Sequence, residues 1–102
     1  MVAKTIKLIV AADEPALFYS SIEAAQTNLE WIDVDDDVYP IAYDPDGNIY
    51  RLRTDGQRVV IERDTKSPPD PHGLNALLRK ATKIISSDNA FLLSLCITRI
   101  DN

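Results

Sequence analysis

One local pattern in this chain constrains the backbone more than any other. Two runs rich in β-forming residues, 38–43 and 49–53, flank the segment Asp-Pro-Asp-Gly-Asn at 44–48. Pro45 presets φ for the start of a turn, and Gly47 accepts the positive φ that the end of such a turn requires. The pattern therefore predicts a β-hairpin with a type I turn and a bulge at Gly47.

Further strands are indicated on either side of this hairpin. Residues 4–10 alternate in hydrophobicity, which is typical of a strand. A second turn at 54–57 leads into another β-rich run at 58–63. We therefore expect a three-stranded meander over 38–43, 49–53 and 58–63, accompanied by the N-terminal strand.

Two helices are predicted from capping and periodicity. Ser20 precedes Glu23 by three residues, which is the capping-box pattern and predicts a helix over 21–30. Apolar residues recur at helical spacing later in the chain and predict a second helix over 74–86. The residues of that second pattern are Leu74, Leu77, Leu78, Ala81, Ile84 and Ile85.

Three segments have less regular patterns. Residues 31–37 end in three successive aspartates, which resist burial, so we interpret this segment as a loop. Residues 64–73 contain three of the six prolines and are interpreted as a loop or linker. Residues 88–100 alternate in a way that favours a strand, although a short buried helix fits nearly as well.

The fold class follows from these elements. We predict a single α+β domain over residues 1–102, with a mostly antiparallel sheet of four or five strands and two helices packed on one face. A chain of 102 residues with 45% apolar residues can form such a core without a disulfide. The single cysteine, Cys96, excludes an internal disulfide and fits a reducing compartment, so we expect a cytoplasmic protein. No run approaches the ~20 apolar residues of a membrane span.

Charge is distributed unevenly along the chain. Residues 1–50 contain two basic and ten acidic residues, a net charge of −8, whereas residues 51–102 have a net charge of +3. A strongly acidic half argues against contact with phosphate backbones and favours a basic partner. We therefore expect a protein partner, with no nucleic acid and no membrane.

No pattern for catalysis or a cofactor stands out. His72 lies in a proline-rich loop with no nucleophile motif beside it, and one His with one Cys cannot form a usual zinc site. The segment 44–48 superficially resembles a calcium loop, but Gly47 comes one position too early. We predict no enzyme, no cofactor and no metal. A small-ligand or metal-binding regulatory module using this turn is the alternative.

Aromatic residues stand beside the acidic run without a basic residue nearby in sequence. Aromatic anchors surrounded by charge are common in protein interfaces, and acids can steer a basic partner. The alternative is that Trp31 and Ile32 are buried and the acids merely solvated. The predicted partner-binding residues are Trp31, Asp33, Asp35, Asp36, Asp37, Tyr39, Tyr43 and Asp44.

The same region carries a resemblance to a known class of proteins. Its residues are Phe-Tyr-Ser-Ser-Ile-Glu-Ala-Ala at 18–25, Leu-Glu-Trp-Ile-Asp-Val at 29–34, Tyr39, and Ala-Tyr-Asp-Pro-Asp-Gly at 42–47. Over residues 18–53 the chain resembles small bacterial immunity-type proteins, which are encoded beside polymorphic or contact-delivered toxins. The resemblance implies a small cytosolic α+β protein that neutralises a cognate toxin, often through an acidic face. A structural homo-oligomer joined through exposed strand edges is a further alternative.

Overall fold

A computed structural model of the chain describes residues 5–13 and 15–101. Its centre is a five-stranded antiparallel sheet with the strand order β2-β1-β3-β4-β5. The predicted α+β class with a mostly antiparallel sheet is confirmed. The strands are Leu8–Ala11 (β1), Ala16–Tyr19 (β2), Ala42–Tyr43 (β3), Ile49–Asp55 (β4) and Arg58–Arg63 (β5).

Four α-helices and a short 3₁₀ helix accompany the sheet. Side-chain caps explain where three of them begin, because Ser21, Asp70 and Asp88 each accept a hydrogen bond from a backbone N–H three residues later. The α-helices are Ile22–Asn28 (α1), Trp31–Asp35 (α2), Pro71–Thr82 (α3) and Asn89–Ser94 (α4), and the 3₁₀ helix is Ile97–Arg99. None of these helices, in the part of the chain described, is long and apolar enough to cross a membrane.

The predicted hairpin is confirmed, with β3 shorter than expected. Gly47 has a φ of 88°, and a Cβ there would come within 2.8 Å of Pro71. Both facts require glycine at this position. Residues 38–41 leave the sheet because the Val38 N–H is bonded to the carbonyl of Asp33 and Pro40 has no N–H to donate.

The helices lie on both faces of the sheet, so the expectation that they share one face is wrong. Leu8 and Val10 pack with α1 and α2, whereas Ile9 packs with α3 and α4. All three of these β1 residues are fully buried. Three successive apolar residues in a strand bury both of its faces, and this continuous run was the sequence signal for two helical layers.

Other expectations need correction. Residues 31–35, predicted as a loop, form α2. The C-terminal run is helical rather than a strand, because a helix beginning after Asp88 buries Leu92 and Cys96 on one side of its path. The strand Ala16–Tyr19 was not predicted, and β1 begins at Leu8. The predicted start of that first strand, Lys4, lies outside the described residues.

Candidate functional site

Most of the predicted partner-binding residues lie in the layer formed by α1 and α2. Helix α2 is held over the sheet by buried Val34 and by a hydrogen bond of 2.7 Å from the Thr54 hydroxyl to the Asp35 carboxylate. Contacts of α2 with both β4 and β5 fix its orientation. The acids of this helix therefore occupy defined positions on one surface. We call this region the α2 surface; its residues are Trp31, Ile32, Asp33, Asp35, Asp36, Asp37 and Tyr39.

The α2 surface is acidic and includes one exposed apolar side chain. Asp35, Asp36 and Asp37 are exposed, and Asp33 is half-buried. Ile32 lies among them with 50% of its surface exposed. The ion pairs of the described residues join Arg51 to Asp64 and Arg53 to Glu62, so neither neutralises an acid of α2. No cation among residues 5–13 and 15–101 forms an ion pair with the acids of this surface.

Asp37 also has a backbone role that accounts for part of the acidic run. Its φ is 57°, in the left-handed region that aspartate and asparagine tolerate better than most residues. Its N–H is bonded to the carbonyl of Val34, and the next N–H, that of Val38, returns to the carbonyl of Asp33. These bonds end α2 and turn the chain back towards the sheet.

The structure brings together two of the three predicted aromatic anchors. Trp31 and Tyr39 are half-buried and pack against the core beneath α1 and α2. Tyr43 instead belongs to the core beneath α3 and is only 7% exposed. Burial, and then the negative charge of Asp70, raise the pKa of the Tyr43 hydroxyl. Tyr43 is therefore not part of the α2 surface, because successive strand residues point to opposite faces.

Asp44 is also separated from the α2 surface, and its carboxylate is already occupied. It accepts hydrogen bonds from the backbone N–H groups of Asp46 and Asn48, both at 3.0 Å, and from the Asn48 side chain at 2.9 Å. The Tyr50 hydroxyl donates a longer bond of 3.4 Å. Burial followed by the charge of Asp44 raises the pKa of Tyr50. Asp44 therefore organises the hairpin turn.

Metal-binding geometry is equally absent from residues 5–13 and 15–101. They contain no group of three or more His, Cys, Asp or Glu side chains placed to hold an ion. In the turn at 44–48, whose sequence superficially resembles a calcium loop, the Asn48 amide oxygen accepts a hydrogen bond from Arg63 at 3.0 Å. The polar atoms of Asp44 and Asn48 are therefore directed to each other and to the protein.

A polar groove of about 520 Å³ adjoins the α2 surface and was not predicted from the sequence. It lies between α1 and the beginning of β5, with Trp31 at one end. The charged side chains that line it are Glu23, Glu30 and Arg58. Because its two walls come from distant parts of the chain, no local pattern could have indicated it.

Several exposed apolar side chains in the C-terminal region were also not predicted from the sequence. Phe91 and Leu95 are four residues apart, so they share one side of the helical path and remain about half-exposed. Ile97 is exposed to a similar degree, and Ile85, after α3, is 87% exposed. The cap at Asp88 was the sequence signal that would have identified this helix.

No protein-family model, no curated protein sequence and no solved structure matches this chain.

Proposed function

We propose that this protein is a protein-binding inhibitor of the immunity type, which neutralises a cognate toxin by binding it through the α2 surface. The observation that carries this proposal is the cluster of exposed carboxylates around half-exposed Ile32, which no cation in the described part of the chain contacts as an ion pair. The expected partner is a basic protein. The resemblance of residues 18–53 to immunity-type proteins supports the inhibitory role.

The physical roles of these residues differ. Exposed acids act mainly on the association rate, because their field attracts a basic partner before contact. Ile32 and the exposed part of Trp31 supply apolar area, and aromatic side chains are frequent anchors in interfaces. Charge steers the partner, while Ile32 and Trp31 hold it once it has docked.

The test is capture of the partner from native cells at low salt, in parallel with two charge variants. Asp36→Lys changes an exposed acid at the C-terminal cap of α2, where only the backbone N–H is bonded, to the carbonyl of Ile32. Asp46→Lys makes the same charge change at the exposed hairpin turn and is the matched control. We expect one stoichiometric basic protein on the wild type, released by a salt step. Its affinity should fall about tenfold for Asp36→Lys and little for Asp46→Lys.

Neutralisation is then measured directly. Co-expression of the captured protein with wild-type inhibitor should restore growth, and Ile32→Asp should weaken that protection because it places another acid where apolar contact is needed. Equal capture by the wild type and both charge variants, with no salt dependence, contradicts the proposal.

A further inference from the structure

The outer edge of β5 has backbone groups that point away from the sheet. The Asp64 N–H, just beyond the strand, is bonded inward to the carbonyl of Ile49 at 2.8 Å. The Ile61 N–H points the other way and donates to the Gln26 side-chain oxygen at 2.8 Å. Because these directions alternate along a strand, Val59 and Arg63 also direct their N–H groups outward.

A single side chain of α1 thus occupies the middle of this edge. Gln26 is half-buried, reaches β5 from the face of the sheet that α1 and α2 cover, and lines the polar groove. Exposed strand edges pair readily with another strand, and proteins commonly protect them. Gln26 satisfies one outward N–H and can move away by rotation about its side-chain bonds.

The sequence of β5 is complementary to itself when two copies run antiparallel. In the register centred on Val60, Val59 lies opposite Ile61 of the second copy, and Arg58 lies opposite Glu62 of the second copy. The two-fold symmetry produces each of these pairs twice. Arg58 and Glu62 are both exposed on the strand. Within one chain Glu62 already pairs with Arg53 at 2.9 Å, so Arg58 of the second copy would share that carboxylate.

We propose that this chain forms a symmetric dimer through β5, in which the two strands pair antiparallel about a two-fold axis at Val60. The pairing joins the two five-stranded sheets into one continuous sheet. Val59 of each copy exchanges backbone hydrogen bonds with Ile61 of the other copy. The Gln26 side chain must therefore leave the Ile61 N–H. The paired residues, 58–62, include none of the α2 surface, although Trp31 lines the groove beside Arg58 and Val59. Because the variants at positions 60 and 62 test the strand register alone, this proposal and the proposed function can fail separately.

Gln26 makes the association weak and dependent on concentration. In the monomer the Ile61 N–H already has an acceptor, so the dimer replaces that bond rather than adding to it. The gain comes from the additional backbone bonds and from the two Arg58–Glu62 pairs. Removing the Gln26 side chain should therefore favour the dimer.

The first experiment tests the register by disulfide trapping. Two Val60→Cys side chains at the axis would be a non-hydrogen-bonded antiparallel pair, with Cα atoms about 4.5 Å apart, which a disulfide can span. Glu62→Cys is the matched control, because its two copies would lie about 14 Å apart along the strands. The native Cys96 is buried and does not compete.

Under mild oxidation we expect a covalent dimer from Val60→Cys and none from Glu62→Cys, with both variants folded by circular dichroism. Equal trapping of both variants, or trapping of Glu62→Cys alone, overturns the proposed register and with it the dimer described here.

The second experiment uses charge and needs no oxidation. By sedimentation velocity, the wild-type mass should rise with concentration towards twice the 11.4 kDa of one chain. Gln26→Ala should lower the dimer dissociation constant about tenfold. Arg58→Glu and Glu62→Arg should each stay monomeric, since each places like charges opposite one another.

An equimolar mixture of these two charge variants should associate, because every pair across the axis is then complementary. A monomer at every concentration, in the wild type, in Gln26→Ala and in the mixture, overturns the proposal and leaves the β5 edge to a different occupant.

Discussion

The two edges of the sheet are closed by different means. At the β2 edge, the C-terminal segment returns to the strand: Ile100 pairs with Phe18, and the Asp101 N–H donates to the Phe18 carbonyl at 2.8 Å. The Asp101 carboxylate accepts bonds from the N–H and hydroxyl of Ser20 at 2.9 and 2.6 Å. At the β5 edge, by contrast, the Gln26 side chain occupies the Ile61 N–H.

The two closures differ in what must be given up to open them: the β2 edge is the permanent one, and the β5 edge is the removable one. Opening the β2 edge requires Ile100 to leave the core, where it is only 7% exposed, so the cost includes hydrophobic surface. Opening the β5 edge at Ile61 requires the half-buried Gln26 side chain to give up one hydrogen bond. An edge closed with core residues serves stability, whereas an edge closed with a polar side chain remains available for pairing.

The largest effect is expected from Ile100. Replacing Ile100 by alanine removes a buried side chain from the core cluster that includes Phe18 and the leucines of α3, and it should lower the free energy of unfolding by about 2–4 kcal/mol. Ile97→Ala is the matched control in the adjacent 3₁₀ helix, where the side chain is 51% exposed, and should change it by less than about 0.5 kcal/mol. Urea unfolding measures both. Similar losses for the two variants would mean that Ile100 does not anchor this edge to the core.

A smaller effect is expected from the polar part of the same closure. Asp101→Asn keeps a residue that tolerates the left-handed φ of 60° at this position but replaces one of the two acceptor oxygens. We expect a loss of about 1–2 kcal/mol, since the bonds involve a charged acceptor. A double-mutant cycle with Ser20→Ala checks that the loss belongs to this pair. Strictly additive losses would contradict the coupling.

What could be predicted from the sequence depends on how local each signal is. The hairpin turn and α3 were predicted because their determinants lie within a few residues: Pro45 and Gly47 in one case, and repeated leucines in the other. For the α2 surface, the sequence identified the acidic residues and Trp31. The sequence predicted one continuous strand over 38–43, which would put Tyr39 and Tyr43 on the same face. Because the strand begins only at Ala42, Tyr43 instead lies on the face opposite the α2 surface.

The features that the sequence did not predict arise from distant contacts. In its local sequence Gln26 resembles any other helical residue, because its hydrogen-bond partner, Ile61, is 35 residues away. Ser20 and Asp101 are 81 residues apart, and nothing in either segment indicates the other. The alternation at 91–97 favoured a strand, and the packing of Leu92 and Cys96 against the core overrode that preference.

The smallest effect is expected at the β5 edge. Gln26→Ala removes one neutral hydrogen bond, worth about 0.5–1.5 kcal/mol, and gains a few tenths from the higher helix propensity of alanine. The global change should therefore stay below about 1 kcal/mol. Thr27→Ala, an exposed neighbour in α1 that makes no bond to β5, is the control.

Hydrogen exchange at low protein concentration distinguishes this edge from the rest of the sheet. In Gln26→Ala the Ile61 amide should exchange much faster, since its acceptor in the monomer is gone. The Asp64 amide, bonded inward to Ile49, should keep its protection in the same sample. Unchanged exchange at Ile61 would show that another group protects it. The contrast between a permanent and a removable edge would then no longer hold, because Gln26 would not be the side chain that closes β5.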